Sequence, residues 1–241
     1  MTIPRLTAVL CAGLALAACA ADPRGPVQAR TAATALPASP AAGTFTAQNE
    51  ALLYLNVVNG LIKQQRYGAA LAFLDDYAAT RKAIVPRYWL LRGDAALGLE
   101  RRNDAASAYA KLEGTPLAAQ GWNGQGRIAA AAKVWRDAAP KFRKAVKGDP
   151  SNADFLNNLA FAELHLGNSV SAAGHLRQAH ELAPGSELIR NNLIIALTLS
   201  GDRRQADTLL LNIQDGAKRQ QVRATIERAI ESNNHFRNGQ S

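Results

Sequence analysis

The sequence predicts an all-α fold, a solenoid of about five stacked helix-turn-helix repeats. Two observations predict it: a pattern of small and large residues that recurs after 34 residues, and a proline that ends each copy. A composition with 48% hydrophobic but only 6% aromatic residues fits a soluble helical protein. The two best copies are Trp122, Gly126, Ala138, Phe142, Ala145, Pro150 and Leu156, Ala160, Ala172, Leu176, Ala179, Pro184.

The other repeats keep the same register, and together the repeats span residues 49–214. Each supplies an apolar face on a first helix, here called helix A, and on a second, helix B. Gly167 and Gly201 fall at the turn between the two helices, where a residue with positive φ ends helix A at little cost. The face residues of the first, second and fifth copies are Tyr54, Val57, Val58, Leu61, Ala70, Leu74, Tyr77; Trp89, Gly93, Ala96, Ala105, Tyr109, Leu112; and Leu193, Ile194, Leu197, Ala206, Leu210.

Residues 215–234 are predicted to form a capping helix. Val222, Ile226, Ala229 and Ile230 line one side of a charged segment, which is what a solenoid needs to cover its last exposed face. Residues 235–241 are predicted to be a disordered tail.

This pattern resembles the tetratricopeptide repeat (TPR), a 34-residue helix-turn-helix unit. The resemblance implies a right-handed superhelix in which helix A of every repeat lines the inner surface, and a function in binding other proteins. Ala138 and Ala172 would permit helices A and B to approach closely. Trp122 is expected to lie in the core, so that Trp122→Ala would cost ~3–5 kcal/mol.

Residues 1–18 are predicted to be a secretory signal, with Arg5 as the positive start and an apolar run over 6–16. One interpretation is an ordinary signal peptide with Ala-Xaa-Ala-like processing. The other, which we favour, rests on Leu-Ala-Ala-Cys at 16–19, which resembles the bacterial lipobox and implies a lipidated Cys19. The acyl chains would then attach the protein to a membrane, and no cofactor besides this covalent lipid is expected.

Residues 19–48 are predicted to be a flexible tether rich in alanine and proline, because Pro23, Pro26, Pro37 and Pro40 interrupt any helix. Alanine rather than aspartate follows the cysteine at position 20. By resemblance to lipoproteins of double-membraned bacteria, this implies an outer-membrane anchor and a solenoid that faces the periplasm.

Binding is expected at helix A positions that the core leaves free. Asn123, Asn157 and Asn191 are spaced by 34 residues, and an amide can bond the backbone of an extended peptide whatever its side chains. One interpretation is therefore a row of amides that holds a partner, with two arginines as possible cations. The alternative is that these asparagines are merely exposed polar positions that avoid the core, or that Asn157 and Asn191 bond between neighbouring repeats. The complete predicted groove is Asn56, Asn59, Arg87, Asn123, Arg127, Asn157, Asn158, Asn191 and Asn192.

The chain is basic, with a formal charge of +9, and residues 127–147 hold seven basic residues against one acidic residue. A solvated helix face is one interpretation of this basic segment. Contact with an anionic lipid, a glycan or an acidic protein is the other. Nucleic acid is not expected as a partner, because no aromatic residues alternate with the charges at base-stacking spacing.

No sequence feature indicates catalysis. Both cysteines, Cys11 and Cys19, precede the repeats, so the repeats contain no thiol nucleophile. The four histidines do not combine with carboxylates at metal-ligand spacing, and there is no glycine-rich phosphate loop. We therefore expect no enzyme activity, no metal and no small-molecule substrate.

The fourth and fifth repeats further resemble TadD-type lipoproteins of tight-adherence (Tad/Flp) pilus assembly. The resemblance rests on Asn-Asn-Leu-Ala at 157–160 with Leu-Gly-Asn at 166–168, and on Ile-Arg-Asn-Asn-Leu at 189–193 with Leu-Ser-Gly-Asp-Arg at 199–203. It implies a pilotin-like factor that binds the pilus secretin or another pilus component. Two alternatives stay open: the analogous lipoprotein of type IV pili, and a general envelope scaffold.

Overall fold

A computed structural model describes residues 47–81 and 83–238, with side chains described for 49–81 and 83–231. The predictions for residues 1–18, for Cys19 and for the tether up to 46 lie outside these ranges. The described residues form eleven α-helices and no strand, as the repeat pattern predicts. The helices are α1 (Ala47–Lys63), α2 (Tyr67–Thr80), α3 (Pro86–Gly98), α4 (Arg102–Ala110), α5 (Ala118–Ala131), α6 (Trp135–Gly148), α7 (Ala153–His165), α8 (Ser169–Leu182), α9 (Glu187–Ser200), α10 (Arg203–Leu211) and α11 (Gly216–Asn238).

The helices alternate between the predicted A and B types, and α11 caps the stack. Each odd-numbered helix contacts the next odd-numbered helix along the chain, from α1 through α9 to α11, whereas the even-numbered helices of the described region do not contact one another. The A helices therefore lie on the tighter, inner side of the curve. The last helix continues to Asn238, four residues past the predicted end of the capping helix at 234.

One pair of buried residues, separated by 16 positions, recurs at the A–B contact of every repeat. The helix A member is Val, Gly, Gly, Ala and Ile in the five repeats, and the helix B member is Leu, Tyr, Phe, Leu and Leu. In the second to fourth repeats a small residue on helix A is thus matched by a large one on helix B, as close packing requires, whereas the first and fifth repeats pair two large residues. The five pairs are Val58/Leu74, Gly93/Tyr109, Gly126/Phe142, Ala160/Leu176 and Ile194/Leu210.

The glycines of the middle repeats are required by the rings that lie on them. A Cβ atom added at Gly93 would lie 2.5 Å from Cε1 of Tyr109, and one at Gly126 would lie 2.6 Å from the ring of Phe142. A Cβ atom added at Gly124 would meet the same Cδ1, Cε1 and Cζ atoms of the Tyr109 ring. Tyr109 is therefore held between two glycines that belong to successive A helices, α3 and α5.

The turns between helices A and B adopt positive φ in every repeat. Gly167 and Gly201, with φ of 81° and 93°, confirm the prediction for the last two repeats. The first three repeats place Gln65, Glu100 and Lys133 at the equivalent turn, with φ of 58–60°. The turn geometry is thus the same in all five repeats, but only the glycines of the last two repeats adopt positive φ without steric cost.

Trp122 does not lie in the core as the pattern predicts. Its side chain is only half-buried, and the Nζ atom of Lys144 lies 4.0 Å from its ring centroid. The indole therefore forms a cation–π contact at the edge of the A–B interface. Trp122→Ala should consequently cost less than the ~3–5 kcal/mol expected for a fully buried tryptophan.

Candidate functional site

The candidate site is the inner surface, defined as the exposed side of α1, α3, α5, α7 and α9 together with the adjoining side of α11. The predicted asparagines lie on it, and four of them bond in two pairs, whereas Oδ1 of Asn191 accepts a 3.4 Å hydrogen bond from Nη2 of the adjacent Arg190. Nδ2 of Asn158 donates to Oδ1 of Asn123 over 2.9 Å, and Nδ2 of Asn192 donates to Oδ1 of Asn157 over 2.8 Å. Each bond connects the A helices of successive repeats.

The accepting asparagines are the more buried members of these two pairs. Asn123 and Asn157 are 9% and 6% exposed, whereas Asn158 and Asn192 are half-buried. A buried amide that lacks a partner is costly, so these bonds stabilise the contact between repeats. The geometry matches the alternative interpretation of the row, in which amides bond between repeats, more closely than a row of free amides.

The first repeat contributes its predicted polar residues differently. Oδ1 of the exposed Asn56 accepts a 2.7 Å hydrogen bond from Nη2 of Arg87, which again connects successive A helices. Asn59 is half-buried and takes part in no hydrogen bond within the described region. Arg87 also lines an apolar cavity of about 590 Å³, together with Leu52, Leu55 and other residues near the start of the solenoid.

Arg127, predicted as a groove cation, is committed to a network within the solenoid. Its Nη1 atom lies 2.6 Å from Oδ1 of Asp94, which also accepts a 2.8 Å hydrogen bond from the hydroxyl of Tyr109. Burial and the neighbouring Asp94 carboxylate raise the pKa of Tyr109 far above its ordinary value, so the hydroxyl remains a donor. Arg127 therefore connects α5 to α3 through Asp94.

An aromatic cluster where α6 begins and α7 ends was missed by sequence reasoning. His165 of α7 stacks on Trp135 of α6, with ring centroids 4.0 Å apart and planes inclined by 2°. Phe161, one turn earlier on α7, meets the His165 ring edge-on at 4.8 Å and is 41% exposed. Burial and the nearby Lys133 lower the pKa of His165, which keeps the imidazole neutral near pH 7. The sequence feature that could have revealed this cluster is the spacing of Phe161 and His165, which are four residues apart and therefore lie on the same side of α7.

Comparisons with known proteins agree with the repeat geometry. Residues 141–173 match the model of a tetratricopeptide repeat family. The TPR repeat-containing protein PA4299 of Pseudomonas aeruginosa is 32% identical over 179 residues, which cover 73% of this chain and 69% of that protein. The chain belongs to the tetratricopeptide repeat family.

Solved TPR structures share the fold. The thermophilic TPR protein TTC0263 of Thermus thermophilus superposes with a TM-score of 0.58 at 19% identity, over 75% of this chain and 98% of that one. MamA of Desulfovibrio magneticus RS-1 gives a TM-score of 0.53 at 18% identity, over 73% and 97% of the two chains. YrrB, described as a TPR protein with an unusual peptide-binding site, gives 0.51 at 17% identity, over 74% and 94%.

Membership of the TPR family implies protein partners, since TPR proteins are generally non-enzymatic scaffolds. The side chains described contain no group of three His, Cys, Asp or Glu residues placed to hold a metal ion. His175 does meet a carboxylate: its Nδ1 atom lies 2.9 Å from Oε2 of the buried Glu163, whose other oxygen lies 3.7 Å from Nη2 of Arg143. This arrangement connects helices α6, α7 and α8 of the TPR stack.

The basic segment of the TPR solenoid lies mainly on α6. Arg136, Lys141 and Lys147 take part in no ion pair within the described region, while Arg143 reaches Glu163 and Lys144 covers Trp122. This is the geometry of a largely solvated helix face. Among the described helices, none is both long and apolar enough to cross a bilayer.

Proposed function

We propose that the chain is an envelope lipoprotein that holds an extended segment of a protein partner on its inner surface. The observation that carries the proposal is the half-exposed ring of Phe161 on α7, which lies beside the Trp135–His165 stack and lines a pocket of the inner surface with residues of α9 and α11. Aromatic side chains that remain exposed in a concave surface are frequent anchors for partner segments. The bonded asparagines keep the neighbouring repeats, and with them this surface, in a fixed arrangement.

The partner that we propose is the secretin of a tight-adherence pilus, with the chain as a pilotin-like factor. Support comes from the resemblance of residues 157–160 and 189–193 to TadD-type lipoproteins, and from the lipobox-like residues that precede Cys19. Lipidation of Cys19 would give the pair its address at the outer membrane. The analogous description of YrrB as a peptide-binding TPR protein supports an extended segment as the bound form.

Co-purification of secretin with the full chain from native membranes tests the proposal. We expect Phe161→Ser to reduce the secretin recovered, because it removes the exposed anchor from the inner surface. Val170→Ser is the matched control, since Val170 is 73% exposed on α8, a B helix. Equal recovery with both variants contradicts the role of Phe161 as the anchor, and no secretin with the unmodified chain contradicts a pilotin-like role.

Membrane fractionation tests the anchor separately. Replacement of Cys19 by serine removes the thiol that would form the lipid thioether, so we expect the protein to leave the outer-membrane fraction and appear in the soluble periplasm. Retention of Cys19→Ser in the membrane fraction contradicts the lipid anchor. This result does not depend on the identity of the partner.

A further inference from the structure

Two pockets of different chemistry lie side by side at the C-terminal end of the inner surface, between α9 and α11. The apolar pocket, about 340 Å³, is lined by Phe161, Leu164, Ile195, Leu199 and Ala229 among others. The polar pocket, about 270 Å³, is lined by Glu187, Arg190, Asn191, Lys218 and Gln221 among others. Asn192, Ile195 and Thr225 line both pockets.

The shared lining residues place the two pockets within reach of one short segment. An extended chain advances about 3.3 Å per residue, so side chains of nearby residues can enter adjoining pockets. The nine-residue stretch from Glu187 to Ile195 on α9 forms one wall of the polar pocket, and Ile195 with Leu199 continues that wall into the apolar one. The opposite wall is α11 in both cases, through Lys218, Thr225 and Arg228.

Arg190 is the group in the polar pocket with unused hydrogen-bonding capacity. A guanidinium has five N–H donors, yet the single hydrogen bond of this side chain within the described region is a long one, 3.4 Å from Nη2 to Oδ1 of Asn191. Its Nε atom is buried and has no acceptor. A planar guanidinium with free donors is the group that best matches a carboxylate.

The charge of the polar pocket also favours an anion. Arg190 and Lys218 are the cations of its lining, and Glu187 is the acid. The Nζ atom of Lys218 lies 2.8 Å from Oε1 of Glu187, which occupies one of its three N–H donors. Arg228 adds a further cation at the apolar pocket, where it is bonded to Ala224 and Thr225 of its own helix.

We propose that the two pockets together bind a partner segment that presents one bulky apolar side chain beside one carboxylate. The apolar side chain enters between Phe161, Leu199 and Ala229, and the carboxylate accepts hydrogen bonds from Arg190 and Lys218. This inference rests on the proposed function, since it names the chemistry of the segment that the inner surface holds. The carboxylate is that of an aspartate or glutamate side chain within the segment.

Selection from two displayed random peptide libraries against the purified full chain tests the proposal. One library presents internal peptides and the other presents peptides with a free carboxyl terminus. We expect enrichment, in both libraries, of an aromatic or large aliphatic residue within about two positions of an acidic residue. Enrichment of an apolar residue at the free carboxyl terminus without a neighbouring acidic residue counts as no enrichment of the pair.

Individual selected peptides are then measured by fluorescence anisotropy against matched variants. Arg190→Gln is expected to weaken binding at least about tenfold, the effect of losing a charge-assisted hydrogen bond. Ala229→Phe, which fills the apolar pocket, should weaken binding of the same peptides. Arg204→Gln, an exposed arginine of α10 that lines neither pocket, should leave binding unchanged. Circular dichroism melting curves identify any variant that fails to fold.

Three outcomes overturn the inference: no enrichment of the paired residues, equal binding to Arg190→Gln and Arg204→Gln, or unchanged binding to a folded Ala229→Phe. Each of these can occur while secretin still co-purifies with the chain, in which case the inner surface binds its partner elsewhere. If the unmodified chain binds the selected peptides but does not capture secretin, the peptide chemistry stands and only the choice of secretin as partner is overturned.

Discussion

The middle repeats and the last two repeats solve the same packing problem with different residues. In the middle, a glycine on helix A receives an aromatic ring from helix B, as in Gly126/Phe142. In the fourth repeat alanine meets leucine, as in Ala160/Leu176, whereas the fifth repeat pairs two larger side chains, Ile194 and Leu210. Comparing Gly126/Phe142 with Ala160/Leu176 shows that a smaller residue on helix A accompanies a larger one on helix B, so that neither residue is specified by itself.

The first test of this comparison removes the large member of each kind of pair. Phe142→Ala should cost ~3–5 kcal/mol of unfolding free energy, because Gly126 offers no side chain to fill the space. Leu176→Ala should cost less, ~2–4 kcal/mol, since the Ala160 methyl group already occupies part of that contact. Urea denaturation of the purified variants measures both values. A larger loss for Leu176→Ala contradicts the comparison.

A double-mutant cycle converts one kind of pair into the other. Gly126→Ala should destabilise the protein by ~1–3 kcal/mol, because its Cβ would lie 2.6 Å from the Phe142 ring. The double variant Gly126→Ala/Phe142→Leu recreates the Ala160/Leu176 pair, so we expect it to be more stable than the sum of the single changes predicts. Additive losses in urea denaturation would show that the two positions do not compensate.

The asparagine pairs give a smaller effect that is specific to the later repeats. Asn157→Ala should cost ~1–2 kcal/mol, because the Nδ2 group of Asn192 loses its acceptor at 2.8 Å. The additional change Asn192→Ala should cost little, since the bond is already lost. Thermal unfolding of the two single variants and the double variant measures the coupling. Independent losses would indicate that each amide acts alone, as in a free groove.

The smallest expected effect concerns His165 in the aromatic cluster. Since burial and Lys133 lower its pKa, the folded state favours the neutral ring; the resulting stability is present above about pH 6.5 and is lost as pH falls through the lower folded pKa. An NMR titration of the ring proton should give a midpoint below 6.5. Lys133→Gly removes the charge and suits the positive φ of 58°, so the midpoint should rise without loss of stability. An unchanged midpoint contradicts the role of Lys133.

The helical repeat could be predicted from sequence because each residue of a pair lies at a fixed spacing, and the five A–B pairs all follow it. The partial exposure of Trp122 could not be predicted from sequence, because it depends on a cation–π contact with Lys144 at the edge of the interface. For the site, the row of asparagines was found through its 34-residue spacing, but the bonds join residues 35 apart, such as Asn123 and Asn158.

The two adjoining pockets lie beyond what repeat spacing can predict. Their second wall is α11, which follows the repeats and does not share their register. The position of Lys218 and Arg228 relative to Arg190 depends on how that helix packs against α9. The two pockets could therefore be found only from the tertiary structure.

Site-specific photo-crosslinking in the native host tests most directly the claim that the inner surface holds a protein partner. A photoreactive phenylalanine analogue at position 161, on the inner surface, is compared with the same analogue at position 170, where the side chain is 73% exposed on a B helix. We expect a discrete protein adduct from position 161 and none from position 170. Adducts of equal yield from both positions, or an adduct from position 170 alone, would contradict the claim.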